Sequence, residues 1–160
     1  MASRETASLV KAYVHLVRTA EALHAAVSRG LMVEGLTASQ FSTIKALRFH
    51  GPLAQRDIAK HILKSGGNIT MVVDNLERTG LVVRERDHED RRIIYVRLTP
   101  DGEQLFDRIY PAHLKRIEDA MKTLGVDGCD HLVELLEQLD HQEIVVGGSP
   151  VAANSAASTH

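Results

Sequence analysis

The sequence predicts a mainly α-helical fold with one small β-hairpin, and three observations carry that reading. Apolar residues recur at three- and four-residue spacing along most of the chain. Only Leu81 to Arg86 and Ile93 to Leu98 alternate in the manner of strands, and a wholly polar six-residue loop joins them. Helix caps and stops fall at the borders of the helical stretches. At 160 residues and 44% hydrophobic, one domain with a substantial core is expected.

Taken in order, residues 5–30 place Leu9, Val10, Tyr13, Leu16, Val17, Ala20 and Leu23 on one stripe. Gly35 interrupts. Thr37 opens a second helix, and Gln40 three residues later completes a capping box. Phe41, Ile44 and Leu47 form its buried face, and His50-Gly51-Pro52 ends it. Leu53 to His61 reads as a short helix with Ile58, Ala59 and Ile62 inward. Ser65 is placed to cap the next helix, which runs to Arg78 and stops at Gly80. Its core stripe is Ile69, Val72, Val73 and Leu76, with Thr70, Met71 and Asp74 opposite. After the hairpin, Thr99-Pro100-Asp101 supplies a capping hydroxyl, a proline at the first helical position and an acid in the first turn. That helix extends to about Leu124. Gly125 and Gly128 are expected to break it before a last helix over 130–143. The result is a winged helix-turn-helix between long terminal helices. One domain spans 1–145, with terminal helices at 5–34 and 99–145 and the central lobe at 36–98. The small, polar tail 146–160 is expected to be disordered.

Charge narrows the partners. The formal net charge is only −2, but it divides as +3 over residues 1–50, +2 over 51–100 and −7 over 101–160. An acidic C-terminal third faces away from phosphate. No apolar run is long enough to span a bilayer, and no signal peptide is visible, so no membrane partner is expected and a cytoplasmic location is. One cysteine, Cys129, fits a reducing compartment. Its acidic neighbours Asp127 and Asp130 disfavour a thiolate, so an inert thiol is the preferred reading.

The chemistry concentrates at two places. Ser65-Gly66-Gly67-Asn68 begins a helix with small residues, so free backbone N–H groups can come close to a phosphate or a groove. Asp87-His88-Glu89-Asp90-Arg91-Arg92 tips the hairpin with two arginines. Together they suit double-stranded DNA, the helix in the major groove and the hairpin in the flanking minor groove. Taken singly, each has a bland reading as a capped helix start or a solvated charged loop. Arg56, Lys60, Lys64 and Arg84 are candidates for phosphate contacts.

The chain resembles the MarR family of winged helix-turn-helix transcriptional regulators. The resemblance rests on Gly35-Leu36-Thr37 with Gln40-Phe41, Ser65-Gly66-Gly67-Asn68-Ile69-Thr70, Asp74 through Val82, Asp87 with Asp90-Arg91-Arg92, and Leu98-Thr99-Pro100-Asp101-Gly102. It covers roughly residues 7–139. It implies a homodimer, joined by its first and last helices, on a pseudo-palindromic operator. It assigns Ser65, Gly66, Gly67, Asn68, Thr70 and Met71 to the major groove. Asp90 and Arg92 match a wing pair in which the aspartate orients the arginine, and Arg91 remains an alternative for the inward-pointing residue. The chain departs from a strong guanine reader, because no Lys or Arg lies between Ser65 and Asp74. The Ser-Gly-Gly-Asn-Ile-Thr form is nearest to members that respond to small aromatic or quinone-like effectors. His15, Arg18, Phe41 and His50 are the candidates for lining such a pocket.

Other classes are disfavoured. The nine histidines include no His-x-x-x-His pair, so no metal or other cofactor is expected. No nucleophile motif, phosphate loop or placed carboxylate pair points to an enzyme. A ligand-responsive repressor is the leading reading. A winged helix that binds protein instead of DNA is the alternative, and it offers no reason for arginines at a hairpin tip.

Overall fold

A computed structural model describes residues 3–62 and 69–140, with the backbone of 145–146 and 149–150. The order is α1 (Arg4–Val33), α2 (Ala38–His50), β1 (Leu53–Ala54), α3 (Gln55–Ile58) and a 3-10 turn (Ala59–His61). Then come α4 (Ile69–Arg78), β2 (Val82–Arg86), β3 (Ile94–Leu98), α5 (Pro100–Met121), a second 3-10 turn (Lys122–Leu124) and α6 (Gly125–Asp140). Val145–Val146 (β4) pairs antiparallel with Ser149–Pro150 (β5). The disorder expected for the tail concerns residues that otherwise lie outside the described ones.

The caps read from sequence at Thr37 and Thr99 are present, and the one expected at Ser65 lies outside the described residues. Thr37 Oγ1 accepts from Gln40 N at 3.2 Å, and Thr37 N donates to Gln40 Oε1 at 2.8 Å. Thr99 Oγ1 accepts from Gly102 N at 3.1 Å, with Pro100 in the first turn of α5. Gly51 ends α2 at φ 76°, a backbone conformation that costs a side chain energy. Gly102 is required for a different reason: a Cβ there would collide with the Leu81 carbonyl at the α5–β2 junction.

Two expectations are corrected. Leu53 and Ala54 are not helical. They form a short strand opposite Val96 and Tyr95, so the sheet has three antiparallel strands in the order β1-β3-β2. Ala54 is buried in consequence, and Ala59, expected inward, is exposed. The last helix starts at Gly125, not near 130. Gly125, at φ 66°, carries the whole break between the 3-10 turn and α6, and Gly128 continues as ordinary helix.

The core lies in the middle of the chain. Ile44, Ile58, Val73, Leu76 and Val96 are fully buried and join α2, α3, α4 and the sheet. Phe106 and Ile109 extend this core onto α5, with Phe106 stacked on Tyr110 at 4.6 Å between centroids. Each such side chain contributes about 1.5–3 kcal/mol relative to exposure. The ends differ. On α1, Leu9 and Tyr13 are 66% and 67% exposed, and on α6 Val126 and Val133 are 77% and 52% exposed. The stripe read from periodicity on α1 therefore exists, α6 also carries exposed apolar residues, and both lie open in the single chain.

Candidate nucleic-acid interface and effector pocket

Helix α4 is held by its buried side. Val73 and Leu76 enter the core, with Ile69 and Val72 packed against it. The opposite face presents Thr70, Met71, Asp74 and Arg78 to solvent. Met71 is 60% exposed, a flexible apolar side chain suited to a thymine methyl. The expected reading residues Ser65, Gly66, Gly67 and Asn68, and Lys64, expected to contact phosphate, lie outside the described residues.

The wing is ordered by its own side chains. Asp87 Oδ1 accepts from the N–H groups of Glu89 and Asp90, both at 2.8 Å, which curls the loop after β2. Asp90 then grips Arg92 at both oxygens, Nε to Oδ1 at 3.0 Å and Nη2 to Oδ2 at 2.9 Å. It also accepts from the Arg92 backbone N–H at 3.0 Å. The fork lowers the Asp90 carboxyl below its usual range and raises the guanidinium. Arg92 is nevertheless 90% exposed at its side chain. An exposed pair of this kind adds little stability. Its effect is to fix the direction of the guanidinium before any partner arrives, which lowers the ordering cost of binding. Arg91 is held differently: its carbonyl oxygen accepts from Arg86 Nη1 at 3.2 Å. The open choice between the two arginines thus has a structural asymmetry, with Asp90 orienting Arg92.

The candidate phosphate contacts separate. Arg56, on α3, is 81% exposed beside Asp57 at 3.8 Å. Lys60 pairs with Asp57 at 2.7 Å and holds that carboxyl below its ordinary value. Arg84 is not a surface cation. Its side chain is 22% exposed and bonds Asp74 at 2.6 Å and Glu77 at 2.5 Å. Sequence reading counts only its charge, and the carboxylates that spend it lie on another element.

The four proposed effector residues do not converge within the chain. Phe41 lines a cavity of about 250 Å³ between α1, α2 and α5. His15 and Arg18 lie farther along α1 on a shallow exposed groove with Thr19 and Ala22. His50 stacks on His61 with centroids 4.4 Å apart. Burial and the neighbouring His50 lower the His61 imidazole, against the pull of Asp57. The length of α1 explains the split, since His15 and Phe41 belong to different levels of the molecule.

The cavity has walls that sequence reading missed. Leu31, Ile117 and Met121 supply apolar surface, and Lys45 and His113 stand beside Phe41. The His113 ring lies 4.4 Å from Phe41, centroid to centroid. Burial lowers the His113 imidazole first, and the charges of Lys45 and Arg116 lower it further. Among the described residues, His113 Nδ1 and Arg116 Nη1 are the buried side-chain nitrogens without a hydrogen-bond partner. Arg116 lies over Gly30, where a Cβ would meet its guanidinium. Lys45 sits one turn beyond Phe41, so that spacing was available as a signal; the approach of α5 was not. Among the described residues no cluster of three or more His, Cys, Asp or Glu has the arrangement of a metal site. Cys129 is partly exposed.

A recognition-type helix buried on one side, a three-stranded sheet and a preset arginine at the hairpin tip define a winged-helix DNA-binding protein. Comparison with known proteins narrows the class. The MarR family model matches residues 36–94. The HTH-type transcriptional regulator YkoM of Bacillus subtilis is 38% identical over 104 residues, covering 65% of this chain and 68% of the relative. The HTH-type transcriptional repressor NicR of Pseudomonas putida is 32% identical, covering 78% and 80%. The solved structure of Bordetella bronchiseptica BpsR, whose DNA binding is regulated by 6-hydroxynicotinic acid, superposes with a TM-score of 0.71 at 26% identity. It covers 79% of this chain and 91% of that one. The chain belongs to the MarR family, and it is a DNA-binding transcriptional regulator. Among the described residues no helix is long and apolar enough to cross a membrane.

Proposed function

We propose that the protein is a ligand-responsive repressor that binds a pseudo-palindromic operator as a homodimer. The observation that carries this reading is the Asp90–Arg92 fork, an arginine aimed and held at the tip of a wing. A guanidinium in a narrow minor groove gains from the focused negative potential there. Thr70 and Met71 sit on the open face of α4 for the major groove, continuing the stretch Ser65 to Asn68. Arg56 supplies a phosphate contact that positions without reading sequence. The open apolar stripes of α1 and α6 support dimerisation by the chain ends. Action in the cytoplasm, on the nucleoid, follows from this reading.

The cavity between α1, α2 and α5 supports an effector site for a small aromatic acid. Phe41 offers a ring face, Lys45 a cation, and the unpartnered His113 Nδ1 a hydrogen-bonding nitrogen, a set that suits a carboxylate. The cavity touches both the long helices and α2 of the reading lobe. A ligand there favours one spacing of the two recognition helices, and affinity changes by its differential binding to the two dimer geometries.

Selection of duplexes from a randomised pool by the full chain tests the reading. The expected product is a pair of inverted half-sites about 10 base pairs apart, centre to centre, or a multiple of that spacing. Enrichment of a single half-site, or of nothing, would overturn it.

A further inference from the structure

Arg84 lies on β2, yet its bonds go to the helix that reads DNA. Its backbone N–H donates to Glu77 Oε1 at 3.1 Å, and its Nη1 to Glu77 Oε2 at 2.5 Å. Its Nη2 reaches Asp74 Oδ1 at 2.6 Å and Gln55 Oε1 at 3.4 Å. The other end of the Gln55 amide donates from Nε2 to Thr70 Oγ1 at 2.7 Å. Thr70, Asp74 and Glu77 follow one another at turn spacing, the first two on the open face of α4 and Glu77 on its half-buried flank. One guanidinium and one amide therefore connect β2, α3 and three successive turns of α4.

The charge balance argues against a phosphate role. Burial alone would lower the Arg84 guanidinium, but its bonds to the Asp74 and Glu77 carboxylates outweigh that and raise it. A cation already facing two carboxylates has little left for a phosphate. Its planar fork, by contrast, fixes direction as well as distance. We infer that Arg84, with Gln55, is a positioning residue for sequence recognition: it sets the roll of α4 relative to the wing and aims the Thr70 hydroxyl. The inference rests on the DNA-binding reading above and adds the residues that hold its geometry.

The test uses the full chain and two probes, the duplex that the parent protein enriches most from a randomised pool and a scrambled duplex of the same composition. Arg84→Ala is expected to lower the preference for the selected duplex by about tenfold, with binding to the scrambled one and its salt slope little changed. Arg84→Lys keeps the charge and loses the fork, so it is expected to remain near Arg84→Ala. Gln55→Ala, which removes no charge and leaves β2 intact, is expected to lower the preference in the same direction, and it decides the matter if the Arg84 variants do not fold. Equal weakening on both duplexes by Arg84→Ala, with a salt slope shallower by about one and recovery in Arg84→Lys, would make Arg84 a phosphate contact and overturn the inference. So would full preference in Gln55→Ala. A parent protein that enriches no duplex would instead bring down the DNA-binding reading itself.

Discussion

The central lobe and the two ends of the chain solve opposite problems. In the lobe, Ile44, Ile58, Val73, Leu76 and Val96 are closed off from water by α2, α3, α4 and the sheet. At the ends, α1 and α6 carry stripes of similar apolar residues and leave them open, Leu9 at 66% and Val133 at 52% exposure. Single exposed leucines are ordinary, but a stripe at helical spacing on both ends is a surface that another chain can cover. In the proposed dimer, the lobe sets which groups face DNA, and the ends set how far apart two such lobes stand. Affinity for a paired site depends on both, because the second half-site is bound at an effective concentration fixed by the dimer.

Breaking the ends is therefore expected to have the largest effect. Leu9→Asp and Val133→Asp place charges on the two stripes. Each is expected to shift the protein to monomer in sedimentation velocity and to lower affinity for a paired operator by about 10²- to 10⁴-fold. Near-normal thermal melting of the lobe would accompany this, since its core does not use either residue. A full-strength dimer in both variants would place the interface elsewhere.

A smaller effect sharpens the contrast at the cavity where lobe and ends meet. Lys45→Ala is expected to weaken binding of small aromatic carboxylates by about 2 kcal/mol or more, and of the matching amides much less. The pH dependence has a definite sign. His113 is held below the ordinary histidine value by burial and by Lys45 and Arg116, so it is mainly neutral at pH 7 in the free protein. A bound carboxylate favours the protonated ring, so binding takes up a proton. Affinity is then expected to rise as pH falls through the bound-state His113 value and to level off below the free-state value, which lies under the ordinary histidine value. Calorimetric titration in buffers of different ionisation enthalpy reads that uptake directly. No uptake in the parent, or the same uptake in His113→Gln, would remove His113 from the site.

The parts of the fold that were readable in advance share one property: their causes are local. The Thr37–Gln40 box, the Thr99–Pro100 start and the Gly51 stop each lie within a few residues of the element they define. The hairpin was readable for the same reason, whereas the wing pair was implied by the family resemblance, although Asp90 and Arg92 are only two residues apart. The misread parts have distant causes. Leu53 and Ala54 become a strand only because Val96 and Tyr95 lie beside them. Arg84 looks like a free cation until Asp74 and Glu77 are placed across from it. The cavity needed α5 to bring His113 against Phe41, and nothing near Phe41 in the chain announces that approach. The reading stretch from Ser65 to Asn68 lies outside the described residues, so its expected role stands on the sequence and the family.

The most direct test concerns the wing. Fluorescence anisotropy titrations of the parent and of Arg92→Ala, at several salt concentrations, are run on the pool-selected duplex and on its scrambled counterpart. Loss of one preset cation is expected to weaken binding to both duplexes, with a salt slope shallower by about one, and to leave the dimer intact. If Arg92→Ala binds both duplexes like the parent at every salt concentration, the arginine that Asp90 holds is not a DNA contact, and a winged helix that binds protein becomes the better description.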